Sequence, residues 1–158
     1  MSPNTISELV PKPLAFLNIC ALENAGAQLS DNVLKALAAL SSDGVLKLLA
    51  EHRPDALIRE LALCGYWIRW RQWQAGSWDI EVRGPDTPAI ADLRDLEAPG
   101  PMQRVLLAAS RLDSDGTYLA RLPQVPHPLF PLLQERSLRW WVHEEADHSA
   151  LLAVQRAR

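Results

Sequence analysis

Apolar and polar residues follow two spacings along this chain, and the two spacings alternate in one order twice. Ala15-Phe16-Leu17-Asn18-Ile19 is a short strand candidate, broken by Asn24-Ala25-Gly26. Val33, Leu34, Leu37 and Leu40 recur at helical spacing and predict one buried stripe, with Ser30 or Asp31 as the cap. Val45 to Ala50 reads as a buried strand. Leu57, Ile58 and Leu61 form a second helical stripe, with Pro54 fitting its first turn and Cys64-Gly65 ending it. Tyr66 to Gln72 then alternates: Tyr66, Ile68 and Trp70 face one way, Trp67, Arg69 and Arg71 the other. Gln74-Ala75-Gly76 is a turn, after which Trp78, Ile80 and Val82 alternate with Asp79, Glu81 and Arg83. The predicted order is β-α-β-α-β-β. Strands joined through a helix run parallel with a right-handed crossover, and the last two form an antiparallel hairpin.

The tripeptide Ser42-Asp43-Gly44 returns as Ser114-Asp115-Gly116, an offset of 115 − 43 = 72. Each copy lies between an apolar helical stretch and an apolar run, so Asp-Gly is expected to make a turn, with glycine accepting positive φ. At the same offset Val33-Leu34 matches Val105-Leu106, Leu40 matches Leu112, Pro54 matches Pro126 and Leu57 matches Leu129. Leu61 matches Leu133, Ser77 matches Ser149 and Val82 matches Val154. The chain is one fold written twice.

The second copy supplies the same elements. Ile90 to Leu93 is its first strand, a helix with Pro101 near its first turn runs to Leu112, and Thr117 to Leu122 is the next strand. Pro126-His127-Pro128 opens its second helix, whose first turn still accommodates Pro131. Leu138, Trp140 and Val142, then Ala150, Leu152 and Val154, are the inward positions of its hairpin. The expected fold class is α/β, more narrowly an α+β two-layer sandwich in two tandem units. Each unit has a four-stranded mixed sheet with two helices on one face. The expected boundaries are an arm at 1–13 with at most one helical turn at Ile6–Val10, a first repeat at 14–84, a linker at 85–88 and a second repeat at 89–158. The tail Gln155–Arg158 is expected to fray.

Composition narrows the function. The chain has 158 residues, 48% of them hydrophobic, and its six Trp are many for that length. Its net charge is −3, from 8 basic and 9 acidic residues in 1–84 and 8 and 10 in 85–158. Neither half is basic, which argues against a nucleic-acid partner. Cys20 and Cys64 form no C-x-x-C motif and no disulfide framework, so a reducing cytoplasm is expected. Pro3, Glu8, Pro11 and Pro13 interrupt any leader-like apolar run, and no stretch approaches the ~20 apolar residues of a membrane span. There is no P-loop, G-x-G-x-x-G or G-x-S-x-G motif, and no cofactor is expected.

The stretch Asp92-Leu93-Arg94-Asp95-Leu96-Glu97-Ala98-Pro99-Gly100-Pro101 resembles the opening of the bacterial domain-of-unknown-function family 2249. Pro126-His127-Pro128-Leu129-Phe130-Pro131-Leu132-Leu133 is similar to that family's P-x-P-L segment. The family is in turn similar to the TusA/SirA-like sulfur-carrier fold, which has the element order read above. The resemblance covers 89–158 well and 15–84 mainly through the repeat. Sulfur carriers bear Cys-Pro-x-Pro at the start of the first helix, where the helix end favours a thiolate nucleophile. Here Ala98-Pro99-Gly100-Pro101 keeps the prolines without the cysteine, Asn24-Ala25-Gly26-Ala27 keeps neither, and Cys20 aligns with Arg94 inside the first strand. What the resemblance implies is the carrier fold without carrier chemistry. The family's histidine before the P-x-P-L segment is matched by His52, whereas the second copy has Gln124 there.

Three groups of residues stand out. His52 sits where a helix start offers free N–H groups to an anion, or is simply a loop histidine. His127, His143 and His148, with Glu144, Glu145 and Asp147, supply enough donors for a metal, but at no recognised ligand spacing. Trp67, Trp73 and Trp141, with Arg69, Arg71 and His143, fall on the helix-free sheet faces. They are expected to pack between halves or subunits, to form an aromatic groove for a small anion, or to cover ion pairs of Lys47 and Arg69 with Asp79 and Glu81. The reading favoured is a cytoplasmic, non-catalytic binding or protein-interaction module. It has a protein partner or self-association, a small anionic ligand as a further option, and neither nucleic acid nor membrane as a target. The alternatives are a carrier or enzyme of sulfur or redox metabolism using Cys20 or Cys64, and a metal sensor on the histidines.

Overall fold

A single helix-to-strand passage sets the geometry of the first unit. Leu29, Val33, Ala36, Leu37 and Leu40 all pack into one core, and this stripe holds helix α1 at Ala27–Ala39. The stripe begins at Leu29, so the helix starts before Ser30 and Asp31 rather than being capped by them, and Leu34 is turned out to solvent. The computed structural model describes residues 12–20, 27–74, 76–145 and 147–156. The expected arm with its turn at Ile6–Val10, the Asn24-Ala25-Gly26 break and the side chains of Ser30 and Trp73 lie outside what is described.

Strand β1 (Lys12–Asn18) runs parallel to β2 (Leu40–Ala50), and Ile19 continues the pairing by donating its N–H to Leu49 O at 2.8 Å. Helix α2 is Asp55–Leu63, and strands β3 (Trp67–Gln74) and β4 (Ser77–Arg83) form the antiparallel hairpin. Sheet order is β1-β2-β4-β3. Leu46, Leu48, Ile80 and Val82 meet Val33, Leu37, Leu57 and Leu61 in one buried cluster, so both helices lie on one face. Gly65, at φ +94°, ends α2 in the left-handed region.

The second unit repeats this plan with β5 (Ala91–Asp92), α3 (Gly100–Ser110), β6 (Thr117–Leu122), α4 (Leu129–Glu135), β7 (Leu138–Glu144) and β8 (Ala150–Arg156), in sheet order β5-β6-β8-β7. Its core joins Val105, Ala109, Leu129 and Leu133 to Ala120, Leu122, Leu152 and Val154. The chain divides into two compact units, Met1–Thr87 and Pro88–Arg158. The architecture is mixed α/β, with four helices and two four-stranded mixed sheets among the described residues.

Several expectations change. Ser42-Asp43-Gly44 makes no turn; it lies within β2, as a bulge. Between the Lys12↔Leu40 and Leu14↔Val45 pairs, β1 advances two residues and β2 five. Neither Gly44 nor Gly116 has a positive φ. Gly44 is required for space, because a Cβ there would stand 2.9 Å from Pro13 O and 2.8 Å from Leu40 Cγ. Ser114-Asp115-Gly116 does lie in a turn, closed by Gly116 N–H to Asp113 O at 3.0 Å. The Ile90–Leu93 strand shortens to two residues, and α3 stops at Ser110, with Leu112 packed against the core beyond it. Gln155 and Arg156 do not fray: Gln155 Nε2 donates to Thr117 Oγ1 at 2.8 Å, and Arg156 Nε to Leu112 O at 2.6 Å. On the edge strands the helices cover only the starts. Tyr66, Ile68, Leu138 and Trp140 pack into cores, whereas Trp70 and Val142, at the same repeat position, are exposed.

Candidate binding surface

The helix-free face of the first sheet is built in rungs. Leu14, Val45, Arg83 and Trp67 form one, Phe16, Lys47, Glu81 and Arg69 the next, and Asn18, Leu49, Asp79 and Arg71 the third. Alternation puts all twelve side chains on this face because their neighbours are claimed by the helical core. Lys47 is buried at its centre, with Nζ 2.9 Å from Asp79 Oδ1 and 3.5 Å from Glu81 Oε1. Outboard, Arg71 Nε is 3.5 Å from Asp79 and Arg83 Nη2 is 3.0 Å from Glu81. Each of the two carboxylates is therefore shared by two cations. Such a set is sustained only while every member has its counter-charge, since desolvating one unpaired ion costs several kcal/mol.

The aromatic rings sit at the outer edge of this network. The Arg83 guanidinium lies 3.9 Å from the centroid of Trp67, its direct cross-strand partner, and Trp67 is still 50% exposed. Arg69 is exposed, and the ion pair to β4 expected of it is made by Arg71 instead. Arg69 faces Glu81 across the rung, but that carboxylate is taken by Lys47 and Arg83. On the opposite face of β3, Arg53 reaches within 6.0 Å of the Trp70 ring and 5.8 Å of the Trp78 ring.

The same rungs in the second unit carry different chemistry. At the offset of 72, Lys47, Asp79 and Glu81 become Leu119, Leu151 and Ala153, with the registers Leu119↔Ala153 and His143↔Leu151 preserved. All three are fully buried. Charge is displaced to the end of the sheet, where Glu145 lies 3.6 Å from Arg121 and 3.7 Å from His143. Arg139 sits 5.1 Å from the Trp141 ring, repeating the arginine–tryptophan pairing of the first unit with the partners' strands changed.

Both units leave their first strand through one device. Asn18 Oδ1 accepts the Cys20 N–H at 3.0 Å, and Asp92 Oδ1 accepts the Arg94 N–H at 3.2 Å. The Arg94 side chain then returns two hydrogen bonds to Asp92, at 2.8 and 2.7 Å, which hold that carboxyl down at about 2. Cys20 is half-buried, with Sγ 3.7 Å from Leu49 O. Cys64 is exposed at the C-terminal end of α2, on a pocket of about 240 Å³ lined by Leu37, Leu40, Ser41, Ser42 and Tyr66 among others. A helix favours an anion at its other end.

Of the residues singled out in the sequence, Trp67, Arg69 and Arg71 share one face of β3, and Trp141 and His143 share the matching face of β7. His52 does not join them; it is exposed in the bend between β2 and α2. The side chain of Trp73 is not described. Arg83, Arg53 and Arg139 complete the arginine–tryptophan pairs and were not singled out. For Arg83 the signal was present, because pairing the hairpin sets it opposite Trp67. The histidines are engaged separately: His127 meets the Phe130 ring edge-on at 5.9 Å, and His148 Nδ1 lies 3.1 Å from Glu144. Among the described residues no three His, Cys, Asp or Glu side chains are arranged to hold a metal, and no helix is long and apolar enough to cross a membrane. No family model matches the chain, and no curated protein matches it.

Proposed function

We propose that the chain is a non-catalytic protein-interaction module of the cytoplasm, built on a TusA-like sandwich written twice and lacking the carrier cysteine. The observation that carries this reading is the half-exposed Trp67 held under Arg83 at the edge of an ion-paired sheet face. A ring immobilised by its cation while half of it faces water is prepared for contact at little further entropic cost. Tryptophan and arginine are also the residues that dominate protein contacts. The β-α-β-α-β-β order of both units supports the TusA-like reading. So does Ala98 beside Pro99, where a sulfur carrier would bear its thiol. Two free thiols suit a reducing compartment.

Native mass spectrometry of the untagged protein from its own host tests the proposal. The expected result is a retained protein partner or second copy, lost in Trp67→Ser. A sulfur adduct on Cys20 or Cys64, or a bare monomer indistinguishable from Trp67→Ser, would overturn it. Thiol chemistry at Cys64 is the second reading, favoured by the one fact that its exposed thiol opens on a pocket.

A further inference from the structure

We infer that the outer edge of β3 docks an acidic segment of a partner protein as an added antiparallel strand. This rests on the interaction reading above and names the partner's chemistry. β3 is the terminal strand of its sheet, so among the described residues no strand is bonded to one side of its backbone. An eight-residue strand at the edge of a sheet is a template for another strand. Its sequence, Trp-Ile-Arg-Trp-Arg-Gln-Trp-Gln, carries two positive charges and no negative one. The acids that neutralise this sheet all lie inboard on β4, where Asp79 is shared by Lys47 and Arg71, and Glu81 by Lys47 and Arg83. Arg69 faces outward from that arrangement, exposed and without an ion pair among the described residues.

Charge also decides against a second copy as the occupant. Antiparallel pairing of two β3 strands about Trp70 would set Arg69 opposite Arg71, twice, and like charges directly opposite are destabilising. An acidic strand reverses the sign of both contacts. The exposed rings supply the remainder: Trp67 stands on one face of β3 and Trp70 on the other, so alternate side chains of an incoming strand each find a tryptophan. Single-stranded nucleic acid shares the preference for arginine and tryptophan but lacks the alternating N–H and C=O ladder that matches a strand edge.

The test uses the full chain and two labelled octapeptides, alternating Glu-Val and alternating Lys-Val, followed by fluorescence anisotropy and amide hydrogen exchange. The Glu-Val peptide is expected to bind, weakening about tenfold as salt rises from low to high concentration. It should also slow exchange of amides within 67–72. Arg69→Glu should abolish binding, and Arg69→Gln, which adds no repulsion and keeps the fold, should weaken it about fivefold. Equal binding of the Lys-Val peptide, no protection along β3, or tighter binding of an oligothymidine would each overturn the inference. The interaction reading fails separately, through loss of the Trp67-dependent native complex. If that complex persists while the Glu-Val peptide does not bind, only the acidic-strand inference falls.

Discussion

Lys47 Nζ lies 2.9 Å from Asp79 Oδ1 on a sheet face where the lysine is almost wholly buried and the aspartate is not. The asymmetry assigns the two partners different weights. Removing the cation takes a buried counter-charge from both carboxylates and leaves Glu81, whose side chain is 3% exposed, to lean on Arg83, whereas removing Asp79 leaves Lys47 still facing Glu81. Lys47→Met is therefore expected to cost about 2 kcal/mol, short of the ~3–5 kcal/mol of an uncompensated buried charge, and Asp79→Asn about 1 kcal/mol. Because the two units have separate cores, the measurement is urea-dependent amide exchange read on β2 and β4 alone.

The repeated Asp-Gly pair predicts two different responses to one substitution. In Gly44→Ala the new methyl meets the backbone oxygen of Pro13, which has no rotamer to yield, so a loss of about 1–3 kcal/mol is expected. In Gly116→Ala the nearest atoms are 3.4 Å away, an ordinary contact, and φ is not positive. That variant is expected to be unchanged, or up to about 1 kcal/mol more stable through a less free unfolded chain. Thermal unfolding of the two single variants checks both signs.

These two glycines also mark how far the sequence could be read. Element order, sheet pairing and the helix-covered face follow from periodicity, because alternation at Tyr66–Gln72 and helical spacing at Val33–Leu40 have no competing interpretation. Letters that repeat were less informative. Ser-Asp-Gly is a turn in one unit and a bulge inside a strand in the other, since the choice depends on whether the preceding helix runs straight into its strand. On the surface, the sequence showed which residues share a face but not which carboxylate each cation takes. Arg69 and Arg71 are equivalent by pattern; Arg71 pairs with Asp79 directly across the rung, whereas Arg69 stands opposite Glu81, which Lys47 and Arg83 already occupy.

The Asp92 carboxyl predicts acid sensitivity in the second unit. The Arg94 hydrogen bonds hold it at about 2, below the ordinary 3.8. A depressed folded value means the contribution is complete above about pH 4 and is lost as pH falls toward 2. The group is half exposed, so solvent screens much of the effect. Carboxyl-carbon NMR titration is expected to move Asp92 back toward 3.8 in Arg94→Ala, and Asp92→Asn should remove the step from the acid limb of the stability curve.

The thiols predict an order of reactivity. Cys64 is exposed, whereas Cys20 is half-buried against the Leu49 carbonyl. Iodoacetamide under native conditions is expected to modify Cys64 first, with Cys20 about tenfold slower as access limits it. Peptide mass mapping over time checks the order. Faster modification of Cys20 would place the more accessible sulfur in the first strand's turn.

The exchange of Lys47, Asp79 and Glu81 for Leu119, Leu151 and Ala153 constrains how one such face can become the other by mutation. Each endpoint is self-consistent, but the states between them are not equally passable. Starting from the charged face, replacing the lysine first leaves two carboxylates on one strand, of which Glu81 is buried, without the cation they shared and with Arg71 and Arg83 at their sides. Replacing both acids first leaves a solitary ammonium. A viable lineage must cross by neutral intermediates, such as an amide standing in for each acid before the lysine is lost. The same narrow route has to be crossed in either direction, so the two faces, once established, do not readily interconvert.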